Sequence, residues 1–211
     1  SIGLQQEPTV LDPTADATAS IDGMLAHNVY ESLTTVSESG EILPALAESW
    51  EVSEDGLTYT FALAEDAAFH DGAEFDSSDV LFSFERAMAE ESGNPSKGIF
   101  EPIESVEAPD ASTVVITLSR PDAFFLFNLA QGDASIVDPS DVESNATAPV
   151  GTGPYRFASW TRGDRLVLEA VEGHRDAAEG MMRRIEFRFI SEAPAAVAAL
   201  LAEEIDAFPG M

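Results

Sequence analysis

Apolar residues along this chain switch between helical and alternating periods, and each switch marks an element. Ile21, Met24, Leu25, Val29 and Leu33 recur at spacings of three and four, predicting an amphipathic helix with Ser20 as the cap that accepts from its free amides. From Leu57 the period falls to two. Leu57, Tyr59, Phe61 and Leu63 share one side of a strand, with Thr58 and Thr60 on the other. A shorter strand precedes it across the turn Ser53-Glu54-Asp55-Gly56. A second turn, His70-Asp71-Gly72, leads into a helix capped by Asp76, with the stripe Val80, Leu81, Phe84 and Met88. Asp79, in its first turn, suits the positive helix end.

Farther on, Pro109-Asp110-Ala111-Ser112 reads as a turn into a strand from Thr113 to Leu118, and Pro121 starts a short helix through Phe124, Phe125, Phe127 and Leu129. Residues 135–149 are polar and loop-like, a crossing between units. Strands follow at Tyr155–Trp160, Arg165–Val171 and Ile185–Ile190, with Arg162-Gly163-Asp164 as a hairpin turn. Ser191 or Glu192 caps a helix through Ala202, with Pro194 in its first turn, and Ile205–Phe208 reads as one more strand. Strand, helix and strand in that order predict a right-handed crossover and a parallel pair. The fold class is mixed α and β.

The 211 residues are 45% hydrophobic, enough for one large or two small domains with a buried core. Apolar runs stay far short of the roughly 20 residues of a membrane-spanning helix. No basic, apolar leader opens the sequence at Ser1, so a secretory signal is either removed or never present. Cysteine is absent, which excludes disulfides, thiolate metal sites and cysteine nucleophiles. A net charge of −29 repels phosphate backbones and anionic headgroups, so nucleic acid is a poor partner. That excess fits either a saline environment or an ordinary acidic secreted protein. Basic residues are unevenly placed: residues 1–85 hold none, while Arg156, Arg162, Arg165, Arg175, Arg183, Arg184 and Arg188 cluster late, which suggests two structural units.

Catalytic and metal constellations are weak. His27, His70 and His174 lie far apart, without metal-ligand spacing, and read as surface or turn residues. No Gly-x-Ser-x-Gly elbow occurs, and adjacent carboxylates such as Glu90-Glu91 and Glu203-Glu204 read as solvated. No cofactor is implied. Gly151-Thr152-Gly153 lacks the lysine of a phosphate loop. Its glycines leave main-chain groups open either to a ligand or to a tight turn between two units.

Several ordered motifs carry a resemblance. They are Leu11-Asp12-Pro13, Tyr30-Glu31-Ser32-Leu33, Pro44-Ala45-Leu46-Ala47-Glu48-Ser49-Trp50, Phe69-His70-Asp71-Gly72, Asp79-Val80 with Phe82-Ser83-Phe84, Val150-Gly151-Thr152-Gly153-Pro154-Tyr155, and Glu204-Ile205-Asp206. Together they span nearly the whole chain, which resembles the family 5 solute-binding proteins of bacterial peptide ABC importers. His174-Arg175-Asp176 departs from the pattern, since many relatives carry an aromatic pair there.

The resemblance implies a type II periplasmic-binding-protein fold, with lobe I from residues 1–43 and 150–211 and a small β-rich lobe II from 44–149. It implies that the chain is an N-terminal portion, ending before the large lobe that closes on the ligand. The implied function is an extracellular or periplasmic receptor, lipid-anchored in some settings, which delivers peptides to a membrane permease and is not an enzyme. The implied half-cleft is lined by Ala17, Thr18, Thr152 and Gly153, with Phe208 and Pro209 near the hinge. Alternatives are a receptor for a nickel complex, haem, opine or sugar, and a stand-alone interaction or chaperone module.

Overall fold

The computed structural model describes residues 1–15, 19–177 and 180–209. Its strands are β1 (Ile2–Leu4), β2 (Thr34–Val36), β3 (Ile42–Pro44), β4 (Ala47–Val52), β5 (Thr58–Leu63), β6 (Ile103–Asp110), β7 (Thr113–Leu118), β8 (Tyr155–Thr161), β9 (Arg165–Ala170) and β10 (Arg184–Phe189). The helices are α1 (Ala19–Leu25), α2 (Ser77–Met88), α3 (Phe125–Asn128) and α4 (Ala193–Leu201). Among the described residues no helix is long and apolar enough to cross a membrane.

Two four-stranded sheets organise these elements. One has the order β4-β5-β7-β6, antiparallel throughout, and the other the order β1-β10-β9-β8, parallel only at β1 and β10. On the first, Tyr59, Phe61 and Leu63 alternate inward from β5 and meet Val114, Ile116 and Leu118 of β7, all buried. Val80 and Phe84 of α2 belong to the same core. Asp76 caps α2 as expected, its side chain accepting from the Ser78 amide at 2.7 Å, while Asp79 returns a bond to the Asp76 amide at 2.9 Å. On the second sheet Ile21, Met24, Leu25, Val29 and Tyr30 pack with Leu166, Leu168, Ile185 and Phe187.

Three expectations change. Ser20 lies inside α1 rather than capping it, and the helix stops at Leu25. There the amides of Asn28, Val29 and Tyr30 all donate to the Leu25 carbonyl, and His27 takes φ = 60°, so Val29 is buried from the turn that closes the helix and Leu33 from the segment after it. α3 starts at Phe125, four residues beyond Pro121. Ile205–Phe208 forms a single parallel bridge, Ala207 with Ile2, so β1 lies between it and β10 and the strand–helix–strand unit does not close a direct pair.

Residues 28–33 run between the two sheets and bond to both. The Asn28 and Val29 carbonyls accept from Tyr155 at 2.8 Å and Gly153 at 2.9 Å, while Ser32 and Leu33 accept from Leu46 at 3.1 Å and Ala47 at 2.9 Å. This short spine positions everything below.

Candidate functional site

Polar side chains collect on this spine in two places. The first is the loop before β8, where Gly151 and Gly153 lie flat on Val29 and Asn28: a β-carbon at either would run into those carbonyl oxygens. The close approach that glycine allows is therefore to the chain's own backbone. Several of the loop's main-chain groups are also occupied. Gly153 donates to Val29, the His70 amide donates to the Gly151 carbonyl at 2.9 Å, and the Gly153 and Thr152 carbonyls accept from His70 Nε2 and His174 Nε2, each at 2.8 Å. His70, in the turn expected of it, and His174, in the connection after β9, are thus half-buried bonding partners of the loop.

Beneath the loop sits Glu31, 5% exposed and paired to Arg175 Nη2 at 2.5 Å. Burial raises the pKa of its carboxyl, while the Arg175 charge, the Thr152 hydroxyl and His174 pull it down. Thr152 is 1% exposed, and its hydroxyl faces Glu31 without reaching good hydrogen-bond geometry. Glu31, His174 and Asp176 place one donor atom each within 4.8 Å of one another, a spacing a metal could bridge. The imidazole has no lone pair to give, because Nε2 donates to Thr152 and Nδ1 accepts the Asp176 amide at 3.1 Å. Asp71, Asp138 and Asp141 form a second acidic group, in which Asp71 and Asp138 are engaged in bonds to the Ala73 amide and to Ser140.

The second place is a cavity of about 250 Å³ where the loop after Leu11 meets the C-terminal end of α2, lined by Thr14, Ala15, Arg86, Glu91, Ser92 and Asn94. Its floor is an ion pair. Asp12, 3% exposed, accepts from the Thr14 amide at 2.9 Å and from Arg86 Nη2 at 2.9 Å, and Arg86 Nη1 reaches the Thr14 hydroxyl. Asn94 is fixed by a bond from Nδ2 to the Asp133 carbonyl at 2.8 Å. Nearby, Tyr30 donates to the Leu11 carbonyl at 3.3 Å, and burial together with the Asp12 charge raises its pKa far above the usual phenol value. Around this open concavity stand a guanidinium, the hydroxyls of Thr14 and Ser92 and the Asn94 amide, of which Thr14 and Asn94 are bonded within the chain.

Among the expected site residues, Thr152 and Gly153 come together with Glu31, His70, His174 and Arg175. Ala17 and Thr18 lie outside the described residues, although Ala15 lines the cavity beside them in sequence. Phe208 packs on β1, where a β-carbon on Gly3 would stand 2.6 Å from its ring, and Pro209 follows exposed. Arg86, Asn94 and Arg175 were not singled out as site residues in the sequence. Buried Asp12 needs a cation, and Arg86 is the first basic residue of the chain, which was the available signal.

Comparison with known proteins identifies the family of the chain. Residues 41–211 match the family model described as bacterial extracellular solute-binding proteins, family 5 middle. The glutathione-binding protein GsiB of Pectobacterium atrosepticum is 34% identical over 184 residues, covering 85% of this chain and 36% of that protein. The structure of AgaA from A. tumefaciens R10, in complex with agropinic acid, superposes with a TM-score of 0.90 at 31% identity, covering 97% of this chain and 42% of the other. That of the periplasmic binding protein DppA from Helicobacter pylori, in complex with the peptide STSA, gives 0.87 at 30%, covering 97% and 45%. The chain thus spans less than half the length of each, and these relatives are binding proteins rather than enzymes.

Proposed function

The chain belongs to the bacterial extracellular solute-binding proteins of family 5, and we propose that it forms one wall of a peptide receptor serving an ABC importer. In this reading residues 1–43 and 150–211 make lobe I, and residues 44–149 make the smaller lobe II. The receptor works outside the cytoplasmic membrane, in the periplasm or on a lipid anchor, and hands its ligand to a membrane permease.

The observation that carries the reading is the cavity at Arg86. It lies where the two units meet, its guanidinium is held in place by buried Asp12, and Ser92 adds a hydroxyl suited to main-chain recognition, while Thr14 and Asn94 are bonded within the chain and shape the wall. Ala17 and Thr18 are proposed to continue this surface. Thr152 and Gly153 support it from the junction without touching ligand, and Phe208 and Pro209 belong to the hinge. Ligand binding then acts by shifting an open–closed equilibrium, which requires tighter binding to the closed form.

An opine or other non-peptide solute is the second reading, favoured by the likeness to the agropinic acid complex. A stand-alone interaction module is a third. Native mass spectrometry of the chain with glutathione, a tetrapeptide pool and agropinic acid in turn separates them. A peptide-mass adduct supports the first reading and an opine-only adduct the second. No adduct at millimolar concentrations removes the cavity as a ligand wall.

A further inference from the structure

Two imidazoles grip the glycine loop from different units. His70 belongs to the turn between β5 and α2, and His174 to the connection between β9 and β10. Their Nε2 atoms stand 2.8 Å from the Gly153 and Thr152 carbonyls. A carbonyl only accepts, so each Nε2 carries a hydrogen. The opposite nitrogens face amides: Gly151 N–H points at His70 Nδ1 at 3.4 Å, and Asp176 N–H donates to His174 Nδ1 at 3.1 Å. Both rings are therefore held in the neutral Nε2–H tautomer by a carbonyl on one side and an amide on the other. A proton added at Nδ1 would set N–H against N–H in both places.

We propose that His70 and His174 are positioning residues that latch the glycine loop across the junction of the two sheets while both rings are neutral, and that acid opens the latch. The loop is also the last segment before β8, and its glycines lie on the 28–33 spine, so its release loosens the seam between the sheets. The inference rests on the bonds at this seam and stands whether or not the receptor reading holds.

Charged groups face both rings. His70 is pushed below its ordinary pKa by burial, with His174 and Arg156 of β8 adding to the shift, while its bond to Gly153 and the charge of Asp71 oppose it. Its stabilising contribution is present above the ordinary value near 6.5 and is lost as the pH falls through the lower folded value. His174 has Glu31 at 4.0 Å from Nε2 and Asp176 at 3.9 Å from Nδ1, with Arg175 beside it. A cavity of about 240 Å³, lined by Asp66, His70, Arg156, Glu172, His174 and Arg175, gives water access to both rings.

The test is ¹⁵N imidazole spectroscopy and amide exchange on the whole chain from pH 8 to pH 5. Both rings are expected as Nε2–H tautomers at pH 8, and the Gly153 and Asp176 protection factors fall by about tenfold on acidification to pH 5. The double variant His70→Gln, His174→Gln keeps a donor at the position of each Nε2 and does not titrate, so its protection stays level over the same range. An Nδ1–H tautomer in either ring of the unmodified chain overturns the proposal. So does a double variant whose loop loosens with acid as much as the unmodified loop.

Discussion

Gly151 lies against Val29 so closely that a β-carbon would collide with the Val29 carbonyl oxygen, and Gly153 stands in the same relation to Asn28. Neither neighbour can yield, because both are backbone of the spine that joins the two sheets. Gly153→Ala and Gly151→Ala are therefore expected to destabilise the protein by about 1–3 kcal/mol each through overpacking. Urea denaturation measures this. A variant as stable as the parent, with ligand capture alone reduced, would instead return the loop to the ligand.

Arg175 neutralises a carboxylate that has almost no water. Removing it as Arg175→Met leaves Glu31 buried and unpaired, at a cost of about 3–5 kcal/mol at neutral pH. The sign with pH is definite. Burial already raises the Glu31 pKa above its usual 4.5, so its folded form is favoured when protonated, and that advantage is lost as the pH rises through the folded value. Loss of Arg175 raises the value further, so the deficit of the variant shrinks on acidification toward pH 4.5. Equal deficits at pH 7.5 and pH 4.5 would mean that Arg175 acts through packing alone.

Much of the fold was legible because its signals are local. The alternation at Tyr59, Phe61 and Leu63 and the cap at Asp76 are each written within a few residues, and both appear as expected, while the return bond from Asp79 is added by the structure. β6 was not, since it is an edge strand whose exposed Glu104, Glu107 and Pro109 carry no apolar alternation. The helical spacing of Val29 and Leu33 misled for the opposite reason: both are buried, but from the turn after α1 and the segment beyond it, each in the core of a different sheet. The site was less legible still. Asp12 and Arg86 are 74 positions apart, Glu31 and Arg175 are 144 apart, and no periodicity links residues paired only by the folded chain.

Asp79 carries a cost within the cap it helps to form. Its carboxyl is pushed up to about 6, first by burial and then by the charges of Asp76 and Asp138, although the bond from the Asp76 amide opposes the shift. The stability this contributes is complete below the usual value of 3.8 and is lost as the pH rises through about 6. Asp79→Asn keeps an oxygen for the Asp76 amide and removes the charge. With allowance for solvent screening, it is expected to gain about 1 kcal/mol at pH 7.5 and nothing near pH 3.5. Thermal unfolding of both forms at the two pH values decides this, and an equal gain at both would assign the effect to something other than charge.

Salt offers a test of the whole surface. With 39 acidic and 10 basic residues, most carboxylates have no cation to meet, and the net charge of −29 acts against compaction. Raising NaCl from about 0.1 M to about 1 M shortens the screening length from about 10 Å to about 3 Å, which weakens this repulsion. It also weakens exposed pairs such as Arg156–Glu169 at 3.4 Å, but such pairs are worth about 0–1 kcal/mol each. The surplus of like charge wins, so the unfolding temperature is expected to rise by about 2–8 °C, equivalent to about 1–2 kcal/mol for a chain of this size. A flat or falling profile would mean that the acidic side chains are spaced widely enough to be tolerated by solvation alone. The saline reading of the composition would fall with it.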